Sequence, residues 1–273
     1  MKIWGFIMAI KLFVTDLDGT LLNRENEISV ENKLAIQDAV AQGTTVTIAT
    51  GRMYISALPY AKQLDVDVPI ITYNGALIKS VSGEVLFESY LNPQTVKSVL
   101  EYCLEQNWYI QIYQDDRLYF AERNHIARAY EKMAGLEGEA VGAQGLHDKI
   151  NLVPKMLVIT GGSEESDAGI AKLQARFGDQ IFAVKSNPTY IEIINPGVNK
   201  ATSLQILLEK MNLQKAEVMA IGDSNNDLPM LKEAGFSVAM GNASDHVKSV
   251  CDYVTEDNTH SGVAAAIHKY VLE

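Results

Sequence analysis

Asp16 and Asp18 stand two residues apart at the end of the run Lys11-Leu12-Phe13-Val14-Thr15 and lead into Gly19-Thr20. A short apolar run closed by a turn signal reads as a buried strand, and the carboxyl end of a parallel strand is where an α/β sheet exposes its reactive groups. Two carboxylates so close repel each other unless a cation joins them, and a divalent ion with a preference for oxygen is the economical partner. One carboxylate is then free to attack an electrophile such as phosphorus, so the pair points to phosphoryl chemistry. Taken alone, a D-x-D-G string also reads as an ordinary turn, where Asp and Gly suit the backbone.

Three further polar clusters sit beside comparable elements. Thr45 to Ala49 runs into Thr50-Gly51-Arg52, Lys200 opens a helical stretch, and Val218 to Ile221 runs into Gly222-Asp223-Ser224-Asn225-Asn226-Asp227. A lone Lys at a helix start reads as solvated, and an Asp/Asn-rich turn reads as a helix N-terminus favoured by the dipole. As a set of four, these strings resemble the motifs of the haloacid dehalogenase superfamily. The motif order, the segment Tyr73-Asn74-Gly75-Ala76 and the long insertion before Lys200 resemble the Cof-type phosphatases, which carry a large α/β cap between the second and third motifs. Around the Lys the chain departs from the usual family string, with Pro196 ahead of Gly197 and Ala201 after Lys200.

The resemblance implies an Mg2+-dependent phosphoric monoester hydrolase, with Asp16 as the nucleophile that becomes an aspartyl phosphate. Asp18 is implied as the acid that protonates the leaving oxygen and then activates water. It assigns the metal to Asp16 and Asp223 through carboxylates and to Asp18 through its backbone carbonyl, with Asp227 orienting waters or Lys200. Phosphate falls to Asp16, Leu17, Thr50, Gly51, Lys200 and Asn226. Arg52 and Asn74 are expected at the rim, and Lys155 and Asn187 in the cap are expected against the substrate's non-phosphate part.

The elements that must position these residues alternate. Strand at Lys11 to Thr15, helix at Val30 to Gln42 capped by Ser29, strand at Thr45 to Thr50, helix at Ile55 to Gln63 and strand at Pro69 to Thr72 make a βαβ rhythm. Ala76 to Lys79 and Glu84 to Glu88 flank Ser82-Gly83 like a hairpin. From Asn92-Pro93 the pattern changes to paired strands and helices, and the βαβ rhythm returns after Asn195-Pro196-Gly197 with a helix from Lys200 to Met211. The fold class is α/β: a doubly wound, Rossmann-like parallel-sheet core over 1–89 and 195–273, and an inserted α+β cap over 90–194.

A chain of 273 residues, 47% hydrophobic and 21% charged, suits a globular protein of two domains. The formal charge of -11, with no Lys/Arg cluster, argues against a nucleic-acid partner. Cys103 and Cys251 lie far apart with no ligand pattern and read as reduced thiols of a cytoplasmic protein. The apolar opening Met1 to Met8 is too short to span a membrane and lacks a cleavage pattern, so Met1 to Ile7 reads as an upstream start or an extra edge segment. The expected partner is a small phosphorylated metabolite, foremost a sugar phosphate, with no obligate protein partner. Three alternatives stay open: a phosphomutase, a phospho-accepting receiver module, and a sugar-phosphate-binding protein without catalysis.

Overall fold

The computed structural model describes residues 9–65 and 69–272. The expectation for Met1 to Ile7 lies outside the described residues. In chain order the first elements are β1 Leu12–Thr15, α1 Val30–Ala41, β2 Thr45–Ile48, α2 Tyr54–Gln63, β3 Ile70–Thr72, β4 Leu77–Lys79 and β5 Val85–Glu88. The insertion supplies α3 Pro93–Glu105, β6 Tyr109–Gln114, β7 Arg117–Phe120, α4 His125–Ala134, β8 Glu139–Ala140, α5 Gly142–Leu146, β9 Lys155–Ile159, α6 Ser163–Phe177, β10 Phe182–Asn187 and β11 Tyr190–Ile194. The chain closes with α7 Lys200–Met211, β12 Val218–Gly222, α8 Leu228–Glu233, β13 Phe236–Ala239, α9 Asp245–Val250, β14 Tyr253–Val254 and α10 Gly262–Tyr270.

The first sheet is all parallel, in the order β14-β13-β12-β1-β2. Every residue of β1 and β12 is buried, because helices cover both faces and a strand inside such a sheet can be apolar throughout. Pairing of Leu12 with Val218 and Thr15 with Ile221 brings the Asp16 turn level with the Gly222-Asp223 turn. β3 continues beyond β2 through a bridge between Ala49 and Ile71, then pairs antiparallel with β4, which pairs with β5 across a bulge at Ile78/Lys79. The expected hairpin is therefore two strands of a three-stranded sheet.

Local chemistry sets the helix that carries Lys200. Asn199 accepts from the N–H groups of Ala201 and Thr202, and the Thr202 hydroxyl accepts from the Asn199 N–H, a reciprocal cap that fixes Lys200 as the first helical residue. Gly75, at φ +107, lies so close to the Asn199 carbonyl that any side chain there would collide with it, and Ser203 donates to the Gly75 carbonyl at 2.6 Å.

The second sheet runs β10-β11-β9-β6-β7-β8 and is antiparallel except for β7 with β8. Sequence periodicity misses β8 and α5, which are short and carry too few apolar residues to mark a face. Strand alternation divides this sheet. Ile110, Ile112, Met156, Val158, Ile191 and Ile193 form a core of the insertion's own, whereas Tyr113, Phe120, Leu157 and Ile194 join the cluster that includes Phe13 and Leu17. Lys155 and Glu192, in phase with that second set, sit on the same side of the sheet. The two crossings are tied by Leu91 N–H to the Val153 carbonyl at 2.9 Å and by Asn195 to Ser89 at 2.8 Å. Cys103 is buried, Cys251 is half-buried, and both are free.

Candidate active site

At the carboxyl ends of β1 and β12, Lys200 Nζ donates to Asp16 Oδ1 and to Asp227 Oδ1, each at 2.6 Å, with Lys200 and Asp227 fully buried and Asp16 nearly so. A fully buried Lys corrects the expectation of a solvated helix start. Burial alone would push the Lys200 ammonium toward its neutral form, but the carboxylates of Asp16 and Asp227 overcome this and hold its pKa above the ordinary value. Asp227 Oδ2 accepts from the N–H groups of Asp223 and Ser224, both at 3.0 Å. Both oxygens of Asp227 are thus engaged, which makes it the residue that fixes Lys200 and the Asp223 turn.

Oxygens of Asp16, Asp223 and Asp227 lie within 4.8 Å of one another. Three carboxylates face one ammonium, an excess of negative charge. Burial, and then the Asp227 charge, push Asp16 well above the usual carboxylate range and Asp223 up to about 7. Gly19, at φ +76, leaves no room for a Cβ, which would stand 2.5 Å from Asp223 Oδ2. Hard oxygen donors with surplus negative charge in a close-fitted turn suit a divalent cation.

Asp18 takes no part in that cluster with its side chain. Arg52 Nη2 and Nε hold Asp18 Oδ1 and Oδ2 at 2.6 and 2.8 Å, and Arg52 Nη1 reaches Tyr60 OH at 3.3 Å. The Thr50 hydroxyl accepts from the Arg52 N–H at 3.1 Å, while the N–H groups of Leu17 and Gly51 make no hydrogen bond among the described residues. Asn226 donates to Asn74 Oδ1 at 2.9 Å, and Asn74 is buried.

A cavity of about 540 Å3 opens over this cluster, bounded by Asp16, Asp18 and Asp223 below and by the insertion above. Gly51, Asn226, Lys155 and Asn187 lie on its wall, whereas Leu17, Thr50, Arg52, Asn74 and Lys200 are not among its lining residues. Arg52 is instead folded onto Asp18, and Asn74 lies beneath Asn226, so neither stands at a rim. Tyr130, Tyr190, Glu192 and Lys185 also line the cavity, and sequence reasoning did not find them. Their strand and helix positions were legible, but nothing in the local pattern tells which sheet face meets the core.

Residues 13–267 match the family of haloacid dehalogenase-like hydrolases. The chain belongs to that family. The 5-amino-6-(5-phospho-D-ribitylamino)uracil phosphatase YcsE of Bacillus subtilis (strain 168) is similar, 34% identical with 96% of each chain covered. Among solved structures, TM0651 of Thermotoga maritima is 35% identical at a TM-score of 0.80, covering 96% of this chain and 97% of that one. A haloacid dehalogenase-like hydrolase of Bacteroides thetaiotaomicron is 32% identical at a TM-score of 0.85, covering 95% of this chain and 98% of that one. With family membership stands the enzyme class expected from the motifs, a phosphoric monoester hydrolase of the Cof type. No helix among the described residues is long and apolar enough to cross a membrane.

Proposed function

We propose that the chain is a Mg2+-dependent phosphatase that hydrolyses a small phosphorylated metabolite, a sugar phosphate or sugar-derived phosphate, through an aspartyl-phosphate intermediate on Asp16. The observation that carries this reading is the buried Lys200 bridging Asp16 and Asp227 beneath a cavity that Asp16, Asp18 and Asp223 line. Lys200 occupies Oδ1 of Asp16, which leaves Oδ2 to attack phosphorus. The carboxylates of Asp16 and Asp223 and the backbone carbonyl of Asp18 would hold Mg2+, which when bound would neutralise charge on the phosphoryl oxygens so that a carboxylate can approach phosphorus.

The free N–H groups of Leu17 and Gly51 and the hydroxyl of Thr50 supply hydrogen bonds to the transferring phosphoryl oxygens, and Lys200 adds positive charge beside them. Asn226 is a further donor on the same wall. Asp18, half exposed at the cavity, gives its proton to the leaving alcohol oxygen and takes one from water in the second step. Lys155 and Asn187 line the cavity from the 90–194 insertion, which acts as the specificity cap over the 1–89 and 195–273 core. The sugar-derived substrate is supported by the phospho-D-ribityl group in the name of the Bacillus subtilis relative.

Purified protein should release phosphate from an aryl phosphate and from some members of a sugar-phosphate panel, with activity lost in excess chelator and restored by Mg2+. Asp16→Asn should abolish release while the protein stays folded. Turnover in chelator, or by Asp16→Asn, would overturn the reading.

A further inference from the structure

Lys155 crosses from the second sheet to the loop of the first. Its Nζ, 1% exposed, donates to the Gly51 carbonyl at 2.7 Å, pairs with Glu192 Oε2 at 2.8 Å and lies 4.5 Å from the Tyr113 ring centroid. Ser186 fixes the other Glu192 oxygen at 2.9 Å. A buried ion pair is weak as a source of stability, because desolvation cancels most of the attraction. What it achieves here is geometric: a charged donor is held at one carbonyl of the Thr50-Gly51-Arg52 loop.

That carbonyl belongs to the same peptide as the Arg52 N–H, which donates to Thr50 Oγ1. Having accepted there, the Thr50 hydroxyl keeps its own proton for an incoming oxygen. Ammonium, peptide and hydroxyl therefore form one line in which each hydrogen bond polarises the next. Anchoring the carbonyl also fixes the orientation of the Gly51–Arg52 peptide, and with it the Arg52 N–H that reaches Thr50.

We propose that Lys155 is a positioning residue for the phosphate loop, aligning the Thr50 hydroxyl when the insertion lies against the first sheet. The proposal rests on the reading of Thr50 as a phosphate donor. It differs from a direct contact between Lys155 and substrate, since the ammonium is spent on Gly51 and Glu192.

The test is a double-mutant cycle on the affinity for inorganic phosphate, measured by calorimetry on Mg2+-supplemented protein. Lys155→Met is combined with Glu192→Gln, so that no unpaired carboxylate is left buried, and thermal unfolding checks that each variant is folded. The pair should weaken phosphate binding about 3- to 10-fold in an otherwise native chain, the net worth of one hydrogen bond. In a Thr50→Val background the same pair should change it by less than about 2-fold, because the relay already lacks its end. Lys155→Arg, which keeps a donor for the Gly51 carbonyl, should retain most of the native affinity.

Equal losses in both backgrounds, or no loss in either, would overturn the proposal. If Thr50→Val alone leaves phosphate affinity unchanged while the native chain still hydrolyses aryl phosphate, the relay has no end point and the proposal fails with the phosphatase reading intact. If the native chain hydrolyses no phosphate ester, both fail together.

Discussion

The guanidinium of Arg52 closes on both carboxylate oxygens of Asp18, at 2.6 and 2.8 Å, from a buried position. The acid proposed to serve the leaving group is thus aimed by a planar fork from the Thr50-Gly51-Arg52 string, with Tyr60 and Asn26 holding the fork in turn. To carry a proton, one Asp18 oxygen must leave the guanidinium, so the pair sets both the aim and the release of the acid.

Arg52→Lys keeps the charge and loses the fork. Its effect should depend on the leaving group: kcat on alkyl phosphates, which need the proton, falls by roughly 10- to 100-fold, and kcat on an aryl phosphate falls far less. Steady-state rates on the two ester types check this. An equal fall on both would remove Arg52 from the positioning of Asp18.

Lys200→Ala leaves Asp16 and Asp227 buried against each other with no cation between them. Removing one member of a buried ion cluster costs about 3–5 kcal/mol, and denaturant unfolding of the metal-free protein should show a loss of that order. Adding Asp227→Asn should recover part of it, because one of the unpaired charges is then gone. An unchanged midpoint for Lys200→Ala would mean that the three groups do not share a charge balance.

The metal-free cluster also makes stability depend on pH. Asp16 and Asp223 are raised above their unfolded values, Asp223 to about 7, by burial and then by Asp227. In the interval between the unfolded value and the raised one, the folded state binds more protons than the unfolded state. Stability is therefore full below pH 4 for this contribution and declines as pH rises through 7. Protein in chelator should lose thermal stability between pH 5 and pH 8, and Mg2+ should restore more of it at pH 8 than at pH 5. Melting curves at both pH values check this, and a metal-induced gain that shrinks with pH would contradict it.

Much of the parallel core was legible because each of its signals is local. The apolar runs of β1 and β12 announce buried strands, and Asn199 with Thr202 marks the start of α7 at the residue where the helix begins. Long-range relations were not legible. Arg52 reads as a rim residue until Asp18, 34 positions away in sequence, is seen to occupy it. Lys155 reads as a contact for the substrate's non-phosphate part until Gly51, 104 positions away, and Glu192 are found to hold it. Asn74 reads as a rim residue, yet the turn at Tyr73–Gly75 places it under Asn226. Such pairings depend on which faces of two sheets meet, and a period of two names the faces without saying what covers them.

Hydrolysis by this route passes through a covalent phosphoryl group on Asp16. With an aryl phosphate, whose leaving group needs little protonation, Asp18→Asn should still allow attack by Asp16 but slow the hydrolysis that follows. Acid quenching of that variant during turnover, followed by peptide mass mapping, measures this directly. The peptide containing Asp16 should gain the mass of one phosphoryl group and lose it when Asp16 is replaced by Asn; phosphate release with no phosphorylated peptide, or with the group on another residue, would rule out Asp16 as the nucleophile.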